Sequence, residues 1–349
     1  MDDTLEKLDF NECLTALGDL DHPFPARLLR GFSDVSPLKL KKLLPIWVTL
    51  PSHRKTSLLE DLEETYEKDT LVNFDELAIA ILSDPDPKVR ILAIRLLWES
   101  EKTRIIPVII DIMMEDQDEA VRAAAANFLG RFVYLGELES IADTHKISIV
   151  RNLLEVLAGE DLPQVKQRAL ESLGYSSHPK VPSLIKTALE SGETLWVSAA
   201  LCAISRSADD SWQPQVLAHI QASDHEVQFE AVRAAGGLEL TASLEALAAI
   251  LEDEEVDPEI RMAAIWSLSQ IGGDFARNTL QGILDSTQDE DEVELVESAL
   301  ENMETGIDTQ GYKLMNFDPD SDDEEASLLD EDEDEYEDDE DEDELEDFD

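Results

Sequence analysis

The chain has 349 residues, 43% hydrophobic and 6% aromatic, and carries 81 acids against 27 bases for a net charge of −54. Asp318–Asp349 holds 23 of the acids and no base, yet the remainder still carries −31, which disfavours nucleic-acid and anionic-membrane binding because both require Lys and Arg to neutralise phosphate. Cys13 and Cys202 lie in no CxxC, excluding a disulfide framework or cysteine zinc site. MDDTLEKLDF is not a signal peptide, and no apolar run approaches the roughly 18 residues of a membrane span, so the expected location is cytoplasmic.

Residues 1–70 read as an irregular helical N-terminal cap. Pro23, Pro25, Pro37, Pro45 and Pro51 divide it into short pieces, because proline inside a helix removes a donor and clashes with the preceding turn. SPLKLKKLLPIWVTLP and KTSLLEDLEETYEKD carry apolar residues at helical spacing. A stack of repeats needs such a unit to cover its first open face.

From Leu71 to Glu304 helix pairs follow one another, seven in all. Their second helices align on Val89, Val121, Val165, Trp196, Val227, Ile260 and Leu295, separated by 32, 44, 31, 31, 33 and 35 residues. The long step reflects an insertion near residues 134–145. Four residues beyond each anchor stands an alanine, from Ala93 to Ala299, and eight beyond stand Leu97, Leu129, Leu173, Ile204, Ala235, Leu268 and Met303. At about 100° per residue these positions form one buried stripe. Asp86, Asp118, Glu193, Asp224 and Asp257 precede the anchors by three and suit N-caps. Arg90, Arg122, Lys166 and Arg261 follow the anchors and suit pairing with acids between units.

VRAAAANFLGRF and IRMAAIWSLSQIGG resemble the second helix of the HEAT repeat, in the short-period form of phycobilin lyases. The resemblance spans about Leu71 to Met303 and implies an all-α, HEAT-like α-solenoid, a right-handed superhelix of antiparallel helix pairs. Within that class deoxyhypusine hydroxylases hold di-iron through several His-Glu pairs, whereas this sequence has only His225–Glu226.

Residues 305–317 read as a linker and 318–349 as a disordered acidic tail, too poor in apolar surface to offset the entropy of ordering. Asp318, Asp320 and Asp322 resemble the start of a calcium loop, but Asp323 and Leu329 stand where glycine and glutamate are required. There is no P-loop, GxSxG or HExxH. No catalytic, cofactor or metal residue is assigned.

Six and ten residues beyond each anchor, side chains should face away from the core stripe, on the concave surface of the solenoid. Arg95, Arg131, Tyr175, Arg206, Arg233 and Trp266 fall there and form a candidate partner-binding ridge of residue types favoured at interface hot spots. Ala26–Lys55 forms a second candidate, a basic patch of Arg27, Arg30, Lys39, Lys41, Lys42, Arg54 and Lys55 against Asp34 alone. The acidic tail would engage this patch or the concave Arg ridge in competition with an external ligand, or recruit a basic partner, with Leu328, Leu329, Tyr336, Leu345 and Phe348 as apolar anchors. The expected function is a non-enzymatic scaffold or adaptor for a protein partner, whose surface would be basic. A lyase-like activity and an acidic chaperone or nucleic-acid mimic are the alternatives.

Overall fold

The computed structural model describes residues 9–253 and 255–305; of the linker expectation only Thr305 falls among them, as the last residue of a helix, and the tail expectation lies outside them. Every regular element among the described residues is helical. The cap comprises α1 (Phe10–Gly18), a 3-10 turn (Ala26–Phe32), α2 (Pro37–Trp47) and α3 (Ser52–Lys68). Ser36 caps α2 and Pro37 opens it where a missing N–H costs nothing. Pro45, expected to break the chain, is accommodated inside α2 close to its end.

Seven pairs follow: α4 (Asp75–Ile81) with α5 (Pro87–Arg95), α6 (Ile106–Glu115) with α7 (Glu119–Glu137), α8 (Asp143–Ala158) with α9 (Pro163–Leu173), and α10 (Val181–Ser191) with α11 (Thr194–Arg206). Then come α12 (Gln213–His219) with α13 (His225–Gly237), α14 (Leu244–Glu252) with α15 (Pro258–Ile271), and α16 (Gly273–Ser286) with α17 (Glu290–Thr305). The second helices stack in order from α5 to α17, and α3 of the cap joins the same layer by packing on α5.

The anchor stripe is the core of this stack. Val89, Ala93, Leu97, Val121, Ala125, Leu129, Val165, Ala169 and Leu173 are all wholly buried. Trp196 and Leu295 are only partly covered, and Val197 and Val296 are buried beside them. Asp118 and Asp224 cap α7 and α13 by accepting from the Val121 and Val227 N–H groups at 3.1 and 3.2 Å. Asp86 and Asp257 do the same for α5 and α15, whereas Glu193 makes no side-chain cap.

Small residues set the spacing of the layer. A Cβ on Gly174 would lie 2.5 Å from the Ala203 carbonyl oxygen, and one on Gly236 would lie 2.7 Å from Ser267 Cα. Ser172 and Ser267 exploit the same closeness, donating to the Ala126 and Val232 carbonyls at 2.8 Å. These bonds satisfy hydroxyls that would be costly to bury unpaired.

The inserted segment near 134–145 carries α7 on through Glu137, and α8 begins at Asp143. The extension is therefore helical, carrying α7 about two turns past Leu129, the last residue of its core stripe.

Candidate functional site

The sequence expectation that Arg95, Arg131, Tyr175, Arg206, Arg233 and Trp266 are all open to solvent holds only at the start of the row. Arg95 is exposed and pairs with Glu63 at 2.8 Å, while Arg131, Tyr175 and Arg206 are partly covered. Arg233 and Trp266 are buried, at 3% and 4% exposure. The reason is the close stacking just described: neighbouring helices approach until their side chains at these positions cover one another. Trp266 lies against Gly236, and its indole Nε1 has no hydrogen-bond partner among the described residues.

The covered part of the row is an ionic seam. Arg168 pairs with Glu171 at 3.1 Å and Arg233 with Glu230 at 3.0 Å. Arg233 also lies over the Phe229 ring at 5.5 Å. Burial raises the Glu230 carboxyl above its usual range despite the nearby Arg233. Burial pushes the Cys202 thiol up to about 12, so it is not the thiolate that nucleophilic chemistry requires.

The open part of the surface centres on the end of α7. Asn127, Arg131, Tyr134 and Leu138 recur at helical spacing and share one face. Tyr134 is 47% and Leu138 56% exposed. The next two repeats buttress this face: Tyr134 packs on Tyr175 with ring centroids 5.4 Å apart, and the Arg206 guanidinium lies 5.1 Å over the Tyr175 ring. Arg131 reaches back to the Glu99 carbonyl at 3.4 Å. Four successive repeats thus contribute to one aromatic and cationic cluster.

Tyr134 and Leu138 escaped the sequence reading because they fall in the insertion, where repeat alignment stops. The available signal was the uninterrupted helical periodicity running past Gly130.

The basic patch is also narrower than its sequence suggests. Arg54 is buried and donates to the Ala16 and Asp19 carbonyls at 2.8 and 3.1 Å, satisfying the free carbonyls that end α1. Lys55 is buried too, at 2.8 Å from Asp84, whose same carboxylate oxygen accepts from Trp47 Nε1. Arg54 thus ties α3 to α1 within the cap and Lys55 ties the cap to the stack, so neither is available to a tail. Arg27 pairs with Glu12 and Arg30 with Asp69, at 2.6 and 2.8 Å. Lys39 lies over the Phe10 ring, and Lys41 and Lys42 remain exposed.

His225 opens α13 and contacts the following repeat, with Nε2 3.1 Å from Asp257 and 3.4 Å from Glu259. Ligand atoms of these three residues lie within 4.8 Å of one another, a spacing compatible with a cation, but the carboxylates already hold the imidazole. The neighbouring Glu226 has no part in this group.

No helix among the described residues is long and apolar enough to cross a membrane. The family model for HEAT repeats matches residues 75–143 and 213–301. Among solved structures the chain is similar to YibA of Escherichia coli, at 17% identity and a TM-score of 0.40, over 80% of this chain and 96% of that one. It is also similar to human deoxyhypusine hydroxylase in complex with glycerol, at 16% identity and a TM-score of 0.36, over 84% and 96% of the two chains. No curated protein matches the sequence.

Proposed function

We propose that this chain, a HEAT-repeat protein, is a non-enzymatic scaffold or adaptor that binds a protein partner on the open face of its second-helix layer. The observation carrying this reading is the cluster at the end of α7, where exposed Tyr134 packs on Tyr175 of the next repeat, Tyr175 is in turn covered by Arg206 of the repeat after it, and exposed Leu138 continues the face. Tyrosine and arginine offer large contact area with a polar tip. Their mutual packing orders them before binding, which lowers the entropy cost of association. The acidic body would steer a partner with a basic surface toward the site.

The test is affinity capture with the full-length chain, Tyr134→Ser and Val108→Ser, each read by mass spectrometry. Val108 is similarly exposed, at 43%, but lies on the first helix α6. Partners kept by Val108→Ser and lost by Tyr134→Ser support the reading. Equal capture by all three proteins, or equal loss from both variants, overturns it.

A further inference from the structure

The α2 helix is chemically unlike the rest of the chain. In a protein of net charge −54, Ser36–Lys55 contains no acid. Leu38, Lys41, Lys42, Pro45 and Val48 are exposed at helical spacing along α2 and its C-cap, so they fall on one face. Leu38 and Val48 are each 77% exposed. Lys42 donates to the Asn11 amide oxygen at 3.2 Å, and neither Lys41 nor Lys42 has a carboxylate partner among the described residues. The face therefore presents two apolar contacts with two uncompensated ammonium groups between them.

We propose that the acidic segment 318–349 of the same chain docks on this face. Its carboxylates would meet Lys41 and Lys42, and its scattered Leu, Tyr and Phe residues would cover Leu38 and Val48. Charge complementarity selects this occupant: the segment has 23 acids and no base, interleaved with apolar residues. Its reach is sufficient. The 44 residues from 306 to 349 have a contour of about 145 Å, and a run of like charges favours extension. The second-helix stack from α3 to α17, at roughly 8–10 Å per step, spans about 55–70 Å. Docking would bring the C-terminal segment onto the N-terminal cap and leave the Tyr134 face to its own partner, so the two surfaces are separable.

Zero-length carbodiimide cross-linking of the full chain, mixed from isotope-labelled and unlabelled protein, tests this directly. Lys41 and Lys42 should form intrachain cross-links to residues 318–349 in excess of those formed by Lys68 and Lys186, which are also exposed. The excess should vanish at about 1 M salt, where the Debye length is about 3 Å. Leu38→Ser with Val48→Ser should cut it about fivefold, corresponding to about 1 kcal/mol of lost apolar burial, while leaving both amines in place. Equal yields from all four lysines would overturn the proposal, as would cross-links formed only between chains or an excess unaffected by the double substitution.

Discussion

Arg90 grips Asp116 across the joint between two repeats, with Nε to Oδ2 at 2.9 Å and Nη2 to Oδ1 at 2.6 Å. Its remaining nitrogen donates to the Asp84 carbonyl at 2.8 Å. Arg122 repeats the arrangement one unit on, holding both oxygens of Asp161 while donating to the Asp116 carbonyl. The residue after the anchor thus fastens two loops at once, and only the planar, five-donor guanidinium can do so.

Removing this clamp should be costly because both partners are largely covered, with side-chain exposures of 12% and 10%. Arg90→Ala should destabilise the fold by about 3–5 kcal/mol, since it leaves Asp116 buried and unpaired. Arg90→Lys should recover only part of that loss. Urea unfolding followed by circular dichroism measures both, and an unshifted midpoint for Arg90→Ala would refute the role.

The same joints set the response to acid. Burial is the largest single influence and acts to raise Asp161 and Asp84, but it is outweighed by the nearby cations together with the hydrogen bonds from Arg122 and the Leu162 N–H to Asp161, and from Lys55, the Asp86 N–H and Trp47 to Asp84, so both stay below the usual aspartate range. A carboxyl depressed in the folded state stabilises fully above its unfolded pKa, and that contribution is lost as pH falls through the folded value. Glu230, raised by burial, acts oppositely: its cost is present when it is ionised and is relieved as pH falls through its folded value. Stability should therefore drop steeply only below the usual aspartate range. Asp161→Asn should lower stability at neutral pH and flatten that acid limb; an unchanged limb in a pH series of urea midpoints would contradict the assignment.

Gly174→Ala should separate α9 from α11. The added Cβ would stand 2.5–2.6 Å from the Ala203 backbone, which cannot rotate aside. A cost of about 1–3 kcal/mol is expected, visible as a lower thermal midpoint. Gly282→Ala on α16 makes the control without crowding, because a Cβ there would meet no atom within 4 Å and its φ is not in the left-handed region.

Trp266 and Tyr134 should separate structure from binding. Trp266→Ala empties a buried site and should cost about 3–5 kcal/mol. Tyr134→Ser, at an exposed position, should leave the thermal midpoint within about 0.5–1 kcal/mol of equivalent stability. A thermally silent Trp266→Ala would contradict a packing role for this α15 side chain against Gly236 of α13.

Periodicity made most of the stack legible. A stripe of Val, Ala and Leu at intervals of four marks the buried face of each second helix, and Asp118 or Asp224 marks where that helix starts. The pairing of charges between units was only half visible: Arg90 and Arg122 were expected to meet acids there, but the acids are Asp116 and Asp161, which fix loops, and not the capping residues. The open face was least legible. One helix considered alone shows where Arg233 or Trp266 points, but their exposure depends on how closely the next helix approaches, and that is set by Gly237 against Ser205 and Gly236 against Ser267. Arg54 and Lys55 illustrate the same limit, since their partners at Ala16, Asp19 and Asp84 lie about thirty or more residues away in sequence. Tyr134 was hidden by the insertion that creates its site.

Hydroxyl-radical footprinting of the full-length chain, free and in the complexes captured from native lysate, tests the binding face most directly. Oxidation of Tyr134 and Leu138 should fall on complex formation while oxidation of Val108 on α6 stays unchanged. Unaltered oxidation at Tyr134 and Leu138, with protection elsewhere, would contradict a partner-binding surface at the end of α7.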